Sequence, residues 1–407
     1  MGEWAVTTLG SVLSLDVTAV KVDPMQVYDI VGVLNRGRGL LYRDPLPGSE
    51  TSYQTLNLIG PNQIVYSRLK AFEGAITVAP SNLAQVYASQ EFPTFTCGPR
   101  LLPNYFRLLT TTKGLWDDLQ NLSTGMGGRR ERVKPADFLT IRIPLPSVSE
   151  QNRIVDLMRG VDGLVSAITE EVERARVALS CAAIELASLP ADGGKVPIDS
   201  LLLRNIGGVW GSEAGVDEMD VDVYRSTEFT NWCRLSGEAE ARRSVSASQF
   251  RSRELKAQDI LIEKSGGTPT RSVGRVVQIS TGDLYRPTIG ANFLQLLRAD
   301  PSKVSPRYLF WTLWAGHRRG DGFDFQTAST NIRNLQTKAY LARGVDLPCR
   351  ETQEEIARTL DGILDCVHSV ENEAANLRAF RSTLLTSLLN QETEIPESYD
   401  DLLERVP

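Results

Sequence analysis

The sequence predicts an α+β protein: two globular modules separated by two long helices, which form an antiparallel coiled coil in a pseudo-twofold arrangement. Three observations support this. First, the chain states one plan twice. Ile141-Arg142-Ile143-Pro144-Leu145-Pro146 runs into Glu150-Gln151-Asn152-Arg153-Ile154, and about 202 residues later Gly344-Val345-Asp346-Leu347-Pro348 runs into Thr352-Gln353-Glu354-Glu355-Ile356. Pro146 aligns with Pro348, Gln151 with Gln353 and Ile154 with Ile356, without a gap. Second, each copy opens a long stretch of heptad-spaced apolar residues. Third, each copy follows a globular-looking stretch of about 150 residues. The expected divisions are modules 1–146 and 191–347, helices 147–190 and 348–390, and an acidic tail 391–407. A duplicated plan presents two similar surfaces at a set separation, and duplex DNA is the first ligand of matching geometry.

The helices follow from spacing. In 351–390 the apolar positions are Ile356, Leu360, Ile363, Val367, Val370, Ala374, Leu377, Leu384 and Leu388, with only Arg381 off the pattern. Steps of four and three predict a coiled-coil seam. The first copy runs Ile154, Leu157, Val161, Leu164, Ile168, Val172, Ala175, Leu179, Ala183, Leu186, and the repeated four-residue steps, 168 to 172 and 179 to 183, shift the seam slightly. Neither stretch holds an internal proline, and Pro190 with Gly193-Gly194 punctuates the end of the first. A helix of roughly 38 residues spans about 57 Å. Two such helices flanking one module fit intramolecular antiparallel pairing. The competing arrangement is a parallel homodimer, but each helix already has a partner of matching length in its own chain.

Within each module, Asn62–Val78 and Gln258–Val276 read as strand, polar turn, strand. Arg68 and Lys70 mark the first turn; Lys264, Thr268, Arg271 and Arg275 mark the second, longer one. Such side chains donate to phosphate oxygens or base edges, or simply cap a solvated hairpin tip. Each module then has an aromatic helix-like segment, Pro103–Leu109 and Pro306–Leu313, whose rings are expected in the core. A polar turn follows, with Arg129, Arg130 and Arg132 after a glycine-rich run in the first copy and Arg333 in the second. Glycine lets the backbone approach a phosphate chain closely, though an exposed connector has the same composition.

Charge divides the same way. The net charge is −6, yet residues 150–190 carry −3, 351–390 carry −4 and 391–407 carry −5, leaving the two modules at +6 together. Mildly basic modules suit phosphate, and acidic helices suit a protein partner. The five cysteines are scattered, with no C-x-x-C pair, and read as reduced cytosolic thiols, mostly buried. No run of 18 apolar residues indicates a membrane span, and Met1-Gly2-Glu3-Trp4-Ala5-Val6 lacks signal-peptide character, so the expected location is the cytoplasm.

The catalytic motifs sought are missing. No G-x-x-x-x-G-K-[ST] loop and no Asn-Pro-Pro-aromatic motif occurs, and the only histidines are His317 and His368. Glu254-Leu255-Lys256 spells a nuclease-like E-x-K, but without an upstream aspartate in context it reads as chance. The chain reads as non-catalytic, with no cofactor or metal of its own.

These residues resemble the specificity subunit of type I restriction–modification systems over nearly the whole chain. The resemblance rests on the paired P-L-P-x-x-x-E-Q-x-R-I-V signature, Pro144–Val155 and more loosely Leu347–Ala357, and on the segments Ile64–Ile76 and Asp259–Val276. The second copy departs from it: Thr352 replaces the usual Glu, Glu351 comes one place early, and Cys349 and Arg350 replace small or apolar residues. The resemblance implies two target-recognition domains, each reading half of a split double-stranded DNA site, and a coiled coil that sets the gap. It also implies two modification subunits, carrying the S-adenosylmethionine chemistry, docked on the helices. Restriction subunits with ATP- and Mg-dependent translocase and nuclease domains would join them. On the helices, Gln151, Ile154, Leu157, Val161, Gln353, Ile356, Leu360 and Ile363 are the expected coiled-coil and docking residues. The alternative is a protein-binding scaffold of the same fold that does not read DNA.

Overall fold

The computed structural model describes residues 4–123, 132–191, 194–230, 232–267, 271–329 and 332–403. The protein is mixed helix and strand. Its helices are α1 (Pro103–Leu109), α2 (Lys113–Leu122), α3 (Pro135–Phe138) and the long α4 (Val148–Leu186). Then come α5 (Ala247–Arg253), α6 (Pro306–Arg319), α7 (Thr337–Ala342), the long α8 (Arg350–Leu389) and α9 (Asp400–Leu403). Contacts gather into two compact units, Met1–Ala167 with Ala375–Pro407, and Ile168–Ala374. Each unit therefore holds one module and a part of each long helix.

In the first unit a four-stranded antiparallel sheet has the order Ile76–Val78, Ile64–Tyr66, Thr94–Cys97, Leu13–Leu15. The second unit repeats that order with Val276–Gln278, Ile260–Glu263, Leu294–Ala299 and Leu202–Gly207, again antiparallel. Both expected strand–turn–strand segments are thus real strand pairs. Their central strands, Ile64-Val65-Tyr66 and Ile260-Leu261-Ile262, are buried on both faces, which is why they read as continuous apolar runs. A second sheet flanks each: Val86–Ala88, Thr55–Ile59 and Thr18–Lys21 in one unit, and a four-stranded sheet containing the parallel pair Met219–Tyr224 and Thr288–Gly290 in the other. The duplicated proline-bounded segments close each module. Arg142–Leu145 pairs with Ala5–Thr8, and Gly344–Asp346 pairs with Lys195–Pro197.

The aromatic helices are core, as expected. Tyr105, Phe106, Tyr308, Phe310 and Trp311 are all buried, and Tyr66 and Phe95 each pack on Phe138 with ring centroids 4.7 and 4.9 Å away. Proline at the first turn of α1 and of α6 starts both helices without losing a hydrogen bond. In α4, Ser147 Oγ accepts the N–H of Glu150 at 3.2 Å, an S-x-x-E start.

The long helices pair within the chain. In the first unit Arg381 of α8 donates to Asp162 of α4, while Ile154 and Leu388 line one small cavity. Partner numbers fall on one helix as they rise on the other, so the two run antiparallel. In the second unit Arg176 donates to Glu371 at 2.9 and 2.6 Å, and Leu179 and Ala183 share a core with Ile356, Leu360 and Val367. The seam of α4 differs in detail from the expected one. Met158 is fully buried and Val165 half-buried, whereas Leu157 is half-buried and Leu164 is 61% exposed. Apolar residues stand at both 157 and 158 and at both 164 and 165, and steps of four then three from Ile154 select the second of each pair.

The acidic tail is not detached from the first unit. Asp400 accepts from Arg153 at 2.8 and 2.6 Å, Tyr399 donates to Asp156 at 2.9 Å, and Ile395 packs on the core. The cysteines are all free, but Cys181, Cys349 and Cys366 are exposed, contrary to the expectation of mostly buried thiols. Cys181 and Cys366 lie on outward positions of the long helices and Cys349 just before α8, where no core covers them. No helix among the described residues is long and apolar enough to cross a membrane.

Candidate nucleic-acid interface

The most informative site is the end of the central strand in each sheet. Arg68 follows Ile64–Tyr66; its N–H donates to Glu91 O at 2.9 Å and its carbonyl accepts the N–H of Val133 at 3.1 Å. Lys264 follows Ile260–Glu263; its N–H donates to Phe293 O at 2.8 Å and its carbonyl accepts the N–H of Leu335 at 2.8 Å. The same two backbone hydrogen bonds place a half-buried cation at the same point of both modules. Arg68 Nε is buried without a hydrogen-bond partner, a cost the fold bears at this position. Burial lowers the pKa of the Lys264 ammonium, and the nearby Arg253 lowers it further. A second cation beside a partly buried one favours an anion there.

Those backbone bonds also bring the two basic segments of each module together. In the second unit Ser265 and Gly266 pair with Asn334 and Arg333, the latter half-buried in the hairpin Gln326–Ser329 and Ile332–Leu335. Only glycine fits at 266, where a Cβ would lie 2.6 Å from Glu263 Oε1 at a φ of +146°. In the first unit Arg132 pairs with Glu91 at 3.1 Å, and the exposed Lys70 stands 3.8 Å from Glu73. Arg271 is exposed. Arg129, Arg130 and Thr268 lie outside the described residues.

Arg275 is of another kind. It donates to both oxygens of the buried Glu263 at 2.9 and 2.7 Å and to the carbonyls of Phe229 and Ser226 at 3.2 and 2.8 Å. With four donor contacts satisfied inside the module, it fastens the strand pair rather than facing outward. The Asp259 of the family-like segment is likewise structural. Buried to 1% exposure, it accepts from Arg298 at 2.7 and 2.6 Å and from the N–H of Lys256 at 2.7 Å.

On the helices, Gln151, Ile154, Val161, Gln353, Ile356 and Leu360 are buried, and Leu157 and Ile363 are half-buried. All are occupied within their own unit. Reading of the sequence also passed over Arg36 and Arg38 on a hairpin of the first unit. Their signal was an Arg-Gly repeat, Arg36-Gly37-Arg38-Gly39, between two apolar runs. Among the described residues no three His, Cys, Asp or Glu side chains are placed to hold a metal ion.

No family model matches the chain. A curated relative, the specificity subunit of the type I restriction enzyme StySPI from Salmonella potsdam, is 23% identical over 305 residues, which cover 70% of this chain and 64% of the relative. The match thus spans slightly under two thirds of that protein's length. A chain from a structure on complex assembly and conformational transition of the type I restriction–modification system superposes with a TM-score of 0.63 at 16% identity, covering 95% of this chain and 97% of the other. The HsdS subunit from Thermoanaerobacter tengcongensis aligns over 95% and 96% of the two chains at 16% identity, with a TM-score of 0.46. By sequence, over seven-tenths of its length, this chain is similar to the specificity subunit of a type I restriction enzyme, and by fold, over nearly all of it, to a chain from a type I restriction–modification complex structure.

Proposed function

We propose that this chain is the DNA sequence-recognition subunit of a type I restriction–modification complex. Each module reads one half of a bipartite duplex target, and the long helices set the gap and dock the modification subunits, two of them by the duplication. Restriction subunits join that assembly. The S-adenosylmethionine, ATP and Mg chemistry belongs to those partners, and this chain supplies address and geometry. The observation that carries the reading is the shared placement of Arg68 and Lys264 at one backbone position of two sheets with one topology. Two cations so related suit two half-sites of one duplex.

The test is binding of the full-length chain, assembled with its modification subunit, to its specific duplex. Arg68→Ala is expected to relax one half of the target and Lys264→Ala the other, each costing about 1–3 kcal/mol if it reads a base edge. A residue touching only phosphate would weaken all sequences alike and reduce the salt slope by about one. An assembly that retains no DNA sequence-selectively would overturn the reading in favour of a protein-binding scaffold.

A further inference from the structure

A hairpin of the first unit, Val31–Val33 paired with Leu40–Tyr42, ends in a tip separate from the Arg68 position. The tip is Asn35-Arg36-Gly37-Arg38-Gly39. Arg36 and Gly37 both take positive φ, 60° and 67°. For arginine that backbone costs on the order of 1 kcal/mol, so the surroundings must hold it. They do so at several points. The N–H of Arg36 donates to Gly74 O at 2.7 Å, and the N–H of Leu34 donates to Gly39 O at 3.0 Å. Asn35 Nδ2 donates to Glu73 Oε2 at 2.7 Å. A Cβ at Gly37 would lie 2.7 Å from the carbonyl oxygen of Thr110, so the tip is pressed against the residue that ends α1 and only glycine fits.

The side chains are held as well. The Arg36 guanidinium stands 5.4 Å from the Trp116 ring centroid, and Trp116 Nε1 donates to Thr110 O at 2.7 Å. Arg38 Nε donates to Asn35 O at 3.0 Å, which leaves the outer edge of its fork to solvent. Both arginines are exposed, and among the described residues neither forms an ion pair with a carboxylate. Glu73, beside the tip, is engaged by Asn35 and Lys70. Two exposed guanidiniums with free donors, with Gly39 open beside them, suit the phosphate oxygens of a duplex. The tip also abuts the 70–74 turn, beside Lys70, through Gly74 and Glu73.

We propose that the Arg36–Gly39 tip is a second DNA-contacting element of the first module, gripping the phosphate backbone beside the Arg68–Lys70 turn, with Trp116 as a positioning residue for Arg36. This deepens, and rests on, the DNA-reading role proposed for that module. The experiment is a salt titration of duplex binding by the full-length chain in its assembled complex, on the specific duplex and on an unrelated one. Arg36→Gln and Arg38→Gln are each expected to weaken both duplexes about three- to tenfold and to lower the salt slope by about one. Arg36→Lys and Arg38→Lys should restore most of the slope, and Trp116→Leu should weaken binding without changing the slope. Thermal midpoints of the variants separate these effects from misfolding. Unchanged affinity and slope in both glutamine variants overturn the proposal while leaving the DNA-reading role intact. Loss of complex assembly with DNA binding unchanged assigns the tip to an acidic protein surface and also overturns it. Failure of the unaltered complex to bind either duplex removes both readings.

Discussion

Gln151 and Gln353 perform the same task 202 residues apart. The side-chain carbonyl of Gln151 accepts the N–H of Leu102 at 2.8 Å, and that of Gln353 accepts the N–H of Ser305 at 2.8 Å. Leu102 and Ser305 immediately precede the prolines that open α1 and α6. The amides donate in turn to the carbonyls of Pro146 at 2.9 Å and Pro348 at 2.8 Å. One side chain thus ties the start of a long helix to the start of the aromatic helix and to the end of the closing strand. Both glutamines are buried, so the repeat marks a joint and not a surface.

Replacing either joint leaves buried backbone groups unpaired. Gln151→Ala and Gln353→Ala are each expected to cost about 2–4 kcal/mol, since an orphaned buried donor or acceptor costs about 1–3 kcal/mol. Gln151 also donates to Arg100 O at 2.8 Å, a further bond, so its loss should be the larger. Denaturant unfolding of the two variants measures this. Losses below about 0.5 kcal/mol, the range of surface substitutions, would contradict the assignment.

Arg275 and Lys70 should separate stability from binding. Arg275→Ala strands the carboxylate of Glu263, whose side chain is 1% exposed, and should destabilise the protein by about 3–5 kcal/mol. Lys70→Ala removes an exposed cation and should change stability by less than about 0.5 kcal/mol. Unfolding curves of both variants check the contrast, and equal effects would contradict it.

The repeat, the strand pairs and the helix seams were legible because they follow from spacing and apolar pattern alone. Register was less so. With Leu157 beside Met158 and Leu164 beside Val165, composition offers two seams, and only the partner helix chooses between them. Arg275 shows the same limit at the site. In sequence it is one more basic residue on a polar turn, and its engagement with Glu263, Ser226 and Phe229 appears only once distant segments meet. The Arg36–Gly39 tip was hidden for the same reason, since its support comes from Gly74, Thr110 and Trp116, all far along the chain.

His317 gives the second unit a pH dependence. Burial pushes its imidazole down to about 4, against an ordinary value of 6.5. A depressed histidine is neutral in the folded state and takes up its proton on unfolding. Its contribution is therefore fully present above about pH 6.5 and is lost as pH falls towards 4, by about 2–3 kcal/mol. The comparison is unfolding free energy of the unaltered chain and of His317→Gln between pH 7 and 4. The variant should show the shallower decline, and parallel curves would contradict the assignment.

The helices provide a geometric test. Four residues inserted in frame after Ala374 lengthen α8 by about 6 Å and shift its seam by a stutter. The expected outcome is an altered gap between half-sites, or loss of binding, with the bases of each half unchanged. Target mapping of the variant reads this directly. Altered bases with the gap intact would contradict the spacer role.

The central claim is that two modules of one topology read two halves of one DNA target independently. It is tested most directly by exchanging residues 191–347 for the matching segment of a relative with a different target and mapping the methylated motif across the host genome. One half of the motif is expected to change to the relative's while the other half stays. A motif in which both halves change together, or neither does, would contradict it.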